Sequence, residues 1–167
     1  YFMYVCAIGT FTGVSYRTKQ HLKKRIGKIA YALDGIKDFI KPKITQVKMI
    51  SQNQELEIAV PLLLVLNSKS VGGIRFNKKG HLNDGLFDII LVKNGFNKGL
   101  HNIAKLFLFG IRKKSEHKHF IYLNSSDITI NVNDETQWCV DGEAGPTGEV
   151  RIKNLHQHVE IFVPCNK

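Results

Sequence analysis

Short runs of aromatic, β-branched and aliphatic residues, each closed by turn-forming residues, recur along most of this chain, and this constrains its fold more than any other feature. The runs are "YFMYVCAI" (1–8), "KITQVKMI" (43–50), "ELEIAVPLLLVLN" (55–67), "GGIRF" (72–76), "LFDIILV" (86–92), "HFIYL" (119–123), "DITINV" (127–132), "TQWCV" (136–140), "GEVRI" (148–152) and "HVEIFV" (158–163). Such spacing, with Gly, Asn, Asp and Ser between the runs, predicts antiparallel strands joined by tight turns. In 43–50, Val47 and Met49 alternate with Gln46 and Lys48. "SQNQ" then makes a turn and 55–67 returns as a strand, with Pro61 marking a bulge or an edge.

Two segments break the rhythm. Leu22, Ile26, Ile29, Leu33, Ile36 and Ile40 recur at steps of three and four, which is one face of a helix ending at Pro42. Its other face carries Lys19, Lys23, Lys24, Arg25 and Lys28. A basic amphipathic helix can lie on a membrane, and it can equally pack on its own domain. Residues 98–113 read as a second helix. The expected fold is therefore mainly β (α+β): one β-sandwich-like domain over residues 1–167 with two helices.

The chain length of 167 residues suits one domain, and 43% apolar residues are enough for a core. The longest apolar run, "IAVPLLLVL" (58–66), falls far short of the roughly 20 residues of a spanning helix. A net charge of +10 points to anionic partners: a phosphate-bearing ligand, nucleic acid or an acidic membrane surface. Cys6, Cys139 and Cys165 fit neither a metal spacing nor a disulfide framework, which suits a reducing cytosol. The chain opens at Tyr1 in what reads as the middle of a strand, so it reads as a piece of a longer protein.

Three stretches carry candidate chemistry. "NSKSVGGIRF" (67–76) leaves an apolar strand and reaches Gly72-Gly73, a pair that lets backbone approach a ligand or simply forms a loop. In "HLNDGLFDIILVK" (81–93), Asp84 is turn chemistry by itself, yet a tight turn can also aim a carboxylate and backbone carbonyls at a hard cation such as Mg²⁺. Asp88, alternating with Phe87 and Ile89, is expected to face solvent or the rim. In "WCVDGEAG" (138–145), Asp141 and Glu143 hang at a strand end. There they read as a hairpin turn, as bases for a hydroxyl or as metal ligands. His117 and His119 share a strand face without an evident third ligand, and they read as surface residues, as do His156 and His158. Trp138 reads as core.

Taken in order, "YFMYVCAIGTFTGV", "KIAYALDGIKDF", "LVLNSKSVGGIRF", "HLNDGLFDIILVK" and "VDGE" resemble the diacylglycerol kinase family of soluble bacterial lipid kinases, nearly end to end. Complete members resemble NAD kinases in having two domains. The resemblance here covers only the second, β-rich one, and the Gly-Gly-Asp-Gly-Thr motif of the nucleotide-binding first domain is absent from this chain. The resemblance implies an acceptor-side domain of an ATP- and Mg²⁺-dependent kinase that phosphorylates the hydroxyl of diacylglycerol to give phosphatidic acid. Another hydroxyl acceptor (a sphingoid base, another lipid or NAD) fits the same architecture. A basic nucleic-acid-binding module finds only the weak echo "IRFNKKG", so nucleic acid is not an expected partner.

Residue by residue, the resemblance assigns Asp84 to a Mg²⁺ site completed by the carbonyls of His81 and Leu86. It assigns Glu143, beside Asp141, to the base, and matches Gly72 and Gly73 to the family's glycine pair. ATP is implied to bind mainly to the other domain. The implied setting is cytoplasmic and peripheral at the inner face of the membrane, with a homodimer possible. Two departures bear on substrate fit. Gly9-Thr10-Phe11-Thr12 lacks the acid of the family's Gly-Phe-Asp-Ala, and "FNKKGH" replaces its Ala-Pro-x-Ala.

Overall fold

Pro61 decides how the apolar runs are shared between layers. A computed structural model describes residues 1–10, 43–51, 54–71, 75, 77–78, 80–94, 101–103, 105–106, 118–160 and 162. Its strands are β1 (Val5–Gly9), β2 (Thr45–Ser51), β3 (Gln54–Val60), β4 (Leu62–Leu66), β5 (Phe87–Val92), β6 (Phe120–Ser125), β7 (Asp127–Asn131), β8 (Gln137–Val140), β9 (Glu143–Thr147) and β10 (Val150–Lys153). The run 55–67, expected as one strand, is cut at Pro61 into β3 and β4, which belong to different sheets. Proline has no N–H for a ladder, so the chain changes sheets there.

One sheet has the order β6-β5-β4-β1-β8-β9 and the other β10-β7-β2-β3. Every neighbouring pair is antiparallel. The expected β-rich sandwich is therefore present, and β2 and β3 form the expected hairpin. Cys6, Ile8, Leu63, Val65, Ile89, Leu91 and Trp138 of the larger sheet pack with Val47, Met49, Ile128, Ile130 and Ile152 of the smaller one. The opposite face of the larger sheet is also covered. Val5, Ala7, Leu62, Leu64, Leu66, Ile90 and Val92 pack with Ile103 and Leu106, and residues 101–103 and 105–106 are helical. Burial on both faces explains why β4 reads as unbroken "LLLVL" while β2, with one face exposed, alternates.

Two strand readings change. Residues 143–147, not among the expected strands, form the edge strand β9, which tolerates Pro146 because its outer N–H side needs no partner. Residues 158–160 are not strand, and Val159 is 58% exposed, so "HVEIFV" fails there for want of a sheet to join. The helix expected before Pro42, most of the helix at 98–113, the strand "GGIRF", the Gly72-Gly73 pair, His117 and Cys165 lie wholly or mainly outside the described residues. Trp138 is fully buried and donates its indole N–H to the Gly148 carbonyl at 2.8 Å. Burial, with Cys139 nearby, pushes the Cys6 thiol up to about 12, so it is a protonated core residue.

The crossing at Pro61 depends on Gly9. The Pro61 carbonyl accepts the Thr10 N–H at 2.7 Å. Gly9 has φ +108°, and a Cβ there would run into the Pro61 carbonyl oxygen. Gly9→Ala should therefore destabilise the protein by on the order of 3 kcal/mol, through backbone strain and this clash, read as a lower urea midpoint with an unchanged m-value.

Candidate active site

Strand register brings the candidate residues to one edge of the larger sheet. Val5, at the start of β1, faces Leu66 at the end of β4. Leu66 in turn faces Asp88, near the start of β5. Cys6 faces Val140, the end of β8. The loop after β4, the "NDG" turn before β5 and the "VDGE" turn after β8 therefore all leave the sheet at this edge. β5 and β8 are three strand spacings apart in the order β5-β4-β1-β8, roughly 14 Å.

The "VDGE" turn is a two-residue hairpin between β8 and β9. Asp141 has φ +51° and Gly142 φ +94°, the positive pair that a type I′ turn requires and that Asp-Gly favours. Asp141 faces inward along the edge. Its Oδ2 accepts the Met3 N–H at 2.6 Å, and its Oδ1 accepts those of Tyr4 at 3.1 Å and Val5 at 2.8 Å. Its own N–H donates to the Val5 carbonyl at 2.9 Å. Burial and then the neighbouring Asp141 charge raise the Tyr4 phenol. Asp141 thus fixes the entry to β1, and the next strand begins with Glu143, whose side chain is exposed and faces Val140 across the turn.

On the other side of β1, the Asn67 N–H donates to the Tyr4 carbonyl at 2.9 Å, and its side-chain amide to the Met3 carbonyl at 3.2 Å. The Phe2 ring stacks on Phe87 with centroids 5.3 Å apart. The segment before β1 is thereby held between β8 and the start of β5.

The "NDG" turn is an Asx turn: Asp84 Oδ1 accepts the Leu86 N–H at 3.0 Å, and Gly85 has φ +73°. His81 and Asp84 are exposed and Leu86 is half-buried. His156 buttresses the turn, with Nε2 lying 3.3 Å from the Asn83 carbonyl. Its ring Cγ would lie only 3.2 Å from a Cβ at position 85. Among the described residues no three His, Cys, Asp or Glu side chains converge. A cation here would be a hard ion on one carboxylate, backbone oxygens and water, and Asp84 with the carbonyls of His81 and Leu86 is a donor set of that chemistry. The strand spacing keeps Glu143 out of the same coordination sphere.

Asp88 corrects the sequence reading. It is 5% exposed rather than solvent-facing. Its carboxylate accepts from the Asn124 side-chain amide at 2.6 Å, from the Tyr122 hydroxyl and from the Asn77 side-chain amide. Burial first, then the hydrogen bond to Asp88, raises the Tyr122 phenol, which keeps it a proton donor. The alternation placed Asp88 correctly on the face opposite Phe87, but that face is covered as well. The clue available in the sequence was the polar pair Tyr122 and Asn124 on the same face of the adjoining strand.

No family model matches the chain. It is 27% identical over 168 residues to the diacylglycerol kinase of Bacillus subtilis strain 168, covering 100% of this chain and 55% of that protein. It is 31% identical over 165 residues to that of Staphylococcus epidermidis, covering 98% and 52%. The chain spans about half the length of the curated relatives it matches. Among solved structures, a diacylglycerol kinase from Bacillus anthracis strain Sterne superposes with TM-score 0.61 at 17% identity, covering 93% of this chain and 48% of that one. Another from the same organism, a candidate of that class, gives 0.67 at 23%, covering 93% and 51%. These structural likenesses show the fold: the chain superposes on about half of each of those larger structures. The sequence matches are more specific: the chain is homologous over its length to the diacylglycerol kinase family and corresponds to its β-rich C-terminal domain.

The lacing of β1 by Asp141 gives a test independent of chemistry. Asp141→Ala should speed hydrogen exchange at Tyr4 and Val5 at least tenfold and cost about 2 kcal/mol of stability, since hydrogen bonds to a charged acceptor are lost. Amide exchange by mass spectrometry reads the first effect and urea denaturation the second.

Proposed function

We propose that this chain is the acceptor-side domain of an ATP- and Mg²⁺-dependent lipid kinase that converts diacylglycerol to phosphatidic acid, with the phosphoryl donor held mainly by another domain of the protein. The observation that carries this reading is the convergence of the Asp84 turn, the loop after β4 and the Asp141–Glu143 turn on one edge of one sheet. The homology to lipid kinases supports it.

In this reading Glu143 is the base. Its exposed carboxylate takes the proton from the acceptor hydroxyl as that oxygen attacks the γ-phosphorus, and the bond to the β–γ bridging oxygen breaks to release ADP. Asp141 does not touch the acceptor. It holds the type I′ turn and so fixes where β9 begins. Asp84, with the His81 and Leu86 carbonyls, would hold Mg²⁺, whose charge would organise this edge of the site. Gly72 and Gly73 remain assigned to close approach of the ligand. Asp84 and Glu143 have separate jobs because four strand spacings, from β5 to β9, divide them.

The net charge of +10 suits an acceptor presented in an anionic membrane, each basic residue near the surface contributing about 1 kcal/mol. Among the described residues no helix is long and apolar enough to cross a membrane. The protein is proposed to work at the cytoplasmic face by peripheral contact.

The full-length protein should phosphorylate diacylglycerol in mixed micelles containing ATP and Mg²⁺. Glu143→Gln should lower kcat by about 10² to 10⁴ with an unchanged melting temperature. Wild-type turnover in that variant removes Glu143 as the base, and product from a sphingoid base but not diacylglycerol reassigns the acceptor. Asp84→Ala should raise the Mg²⁺ concentration for half-maximal turnover at least tenfold, and an unchanged titration returns Asp84 to a plain turn.

A further inference from the structure

The buried carboxylate of Asp88 has an unusual set of partners. Its three side-chain donors, Asn77, Tyr122 and Asn124, are all neutral. A carboxylate removed from water is costly unless fully hydrogen-bonded, so this position must repay that cost through what it organises. Two of the donors belong to β6, and the register sets Asn124 directly opposite Asp88. These two hold the carboxylate in one orientation on the sheet.

The third donor comes from elsewhere. Asn77, 2% exposed, lies in the connection between β4 and β5. Gly80 lies against the same pair: a Cβ there would sit 2.6 Å from Asp88 Oδ2 and collide with the Asn77 amide. The Gly80 N–H reaches back to the Asn77 carbonyl at 3.4 Å, and the Asn77 N–H to the Lys69 carbonyl at 3.2 Å. Asp88 therefore grips the chain at both ends of one short segment. At one end Asn77 is hydrogen-bonded to its carboxylate, with Gly80 packed against the pair, and at the other Asp88 is itself part of β5. The residues between include His81, Asp84 and Leu86, those assigned above to the cation.

We propose that Asp88, through Asn77, is the positioning residue of the Asp84 turn, setting the spacing of the His81 and Leu86 carbonyls about the Asp84 carboxylate and hence the affinity of that turn for a divalent cation. This rests on the reading of Asp84 as a cation ligand. Asp88 does not touch the cation. Its carboxylate is spent on Asn77, Tyr122 and Asn124, on the helix-covered face of the sheet. Mg²⁺ demands near-ideal octahedral geometry and binds weakly to a donor set that must be ordered on binding. A clamp on both flanks of the turn supplies that order in advance.

The contrast between Asn77 and Tyr122 separates positioning from general support. Both donate to the same carboxylate, but only Asn77 ties down the connection. The test is Mn²⁺ binding to the full-length protein by electron paramagnetic resonance, with Mn²⁺ as the probe, on wild type and on Asp84→Ala, Asn77→Ala and Tyr122→Phe, each with its urea midpoint. The expected result is a site lost in Asp84→Ala, weakened at least tenfold in Asn77→Ala and changed less than twofold in Tyr122→Phe, although both of the latter lower the midpoint. A swap, Asn77→Asp with Asp88→Asn, keeps a donor–acceptor pair between the two positions and should recover most of the Mn²⁺ affinity lost in Asn77→Ala. Equal weakening in Asn77→Ala and Tyr122→Phe, or wild-type affinity in Asn77→Ala, overturns the positioning role while leaving Asp84 as ligand. Mn²⁺ binding unaffected by Asp84→Ala overturns the cation reading and the positioning role together.

Discussion

The register of four neighbouring strands, β5-β4-β1-β8, is the constraint on which the site depends. Side chains alternate across a strand, so a shift of one residue between β1 and β4 would move Cys6 and Ile8 out of the sandwich and Val5 and Ala7 into it. Both faces of this sheet are buried, so neither half of that exchange is tolerated. The same pairings that satisfy the two cores also fix which residues leave at the sheet's edge. Core packing and site assembly are thus one specification, written in the apolar residues of β1, β4 and β5.

The acids at this edge divide into two kinds. Asp88 and Asp141 spend their carboxylates on the protein itself, one on side chains of β6 and the β4–β5 connection, the other on the amides before β1. Asp84 and Glu143 are exposed and lie close in sequence to the structural pair: Asp84 precedes Asp88 on the way into β5, and Glu143 follows Asp141 around the type I′ turn. In each case an internally satisfied acid holds the backbone from which an exposed acid projects. In the proposed reading this is preorganisation of the kind that phosphoryl transfer draws on, since that reaction depends on positioning and charge more than on covalent help.

The strand-rich class, the β2–β3 hairpin, the buried Trp138 and the two acidic turns were legible in the sequence because each depends on local signals: alternation, apolar runs and Asp-Gly turns. What was not legible depended on contacts distant in sequence. Pro61 was read as a bulge, but its role as a crossing between sheets appears only once β3 and β4 have different neighbours. Strand β9 was hidden because "EAGPT" has poor strand propensity and is held at an edge by β8 alone. Residues 158–160 failed in the opposite sense, with good composition and no sheet to join. Asp88 was misjudged because alternation reports which face a residue takes, not whether that face is covered. The resemblance named Asp84 and Glu143 by type and order, but only the register shows that their turns share an edge.

That shared edge also limits how the two exposed acids can cooperate. Across four strand spacings, no single ion can bridge Asp84 and Glu143, so in the proposed reading a cation at the turn would influence the base only through the strand ends between them. Those ends are joined by short, directional contacts. Phe87 follows the turn and stacks on Phe2, Asn67 holds the carbonyls of Met3 and Tyr4, and Asp141 holds the amides of Met3, Tyr4 and Val5. The segment before β1 is thus gripped from both sides, through its carbonyls toward the β4–β5 side and through its amides toward the β8–β9 side. A displacement of the "NDG" turn is resisted at each of these contacts before it can reach Glu143. In the proposed reading, rigidity along this edge, rather than proximity, would let two separated carboxylates serve one reaction.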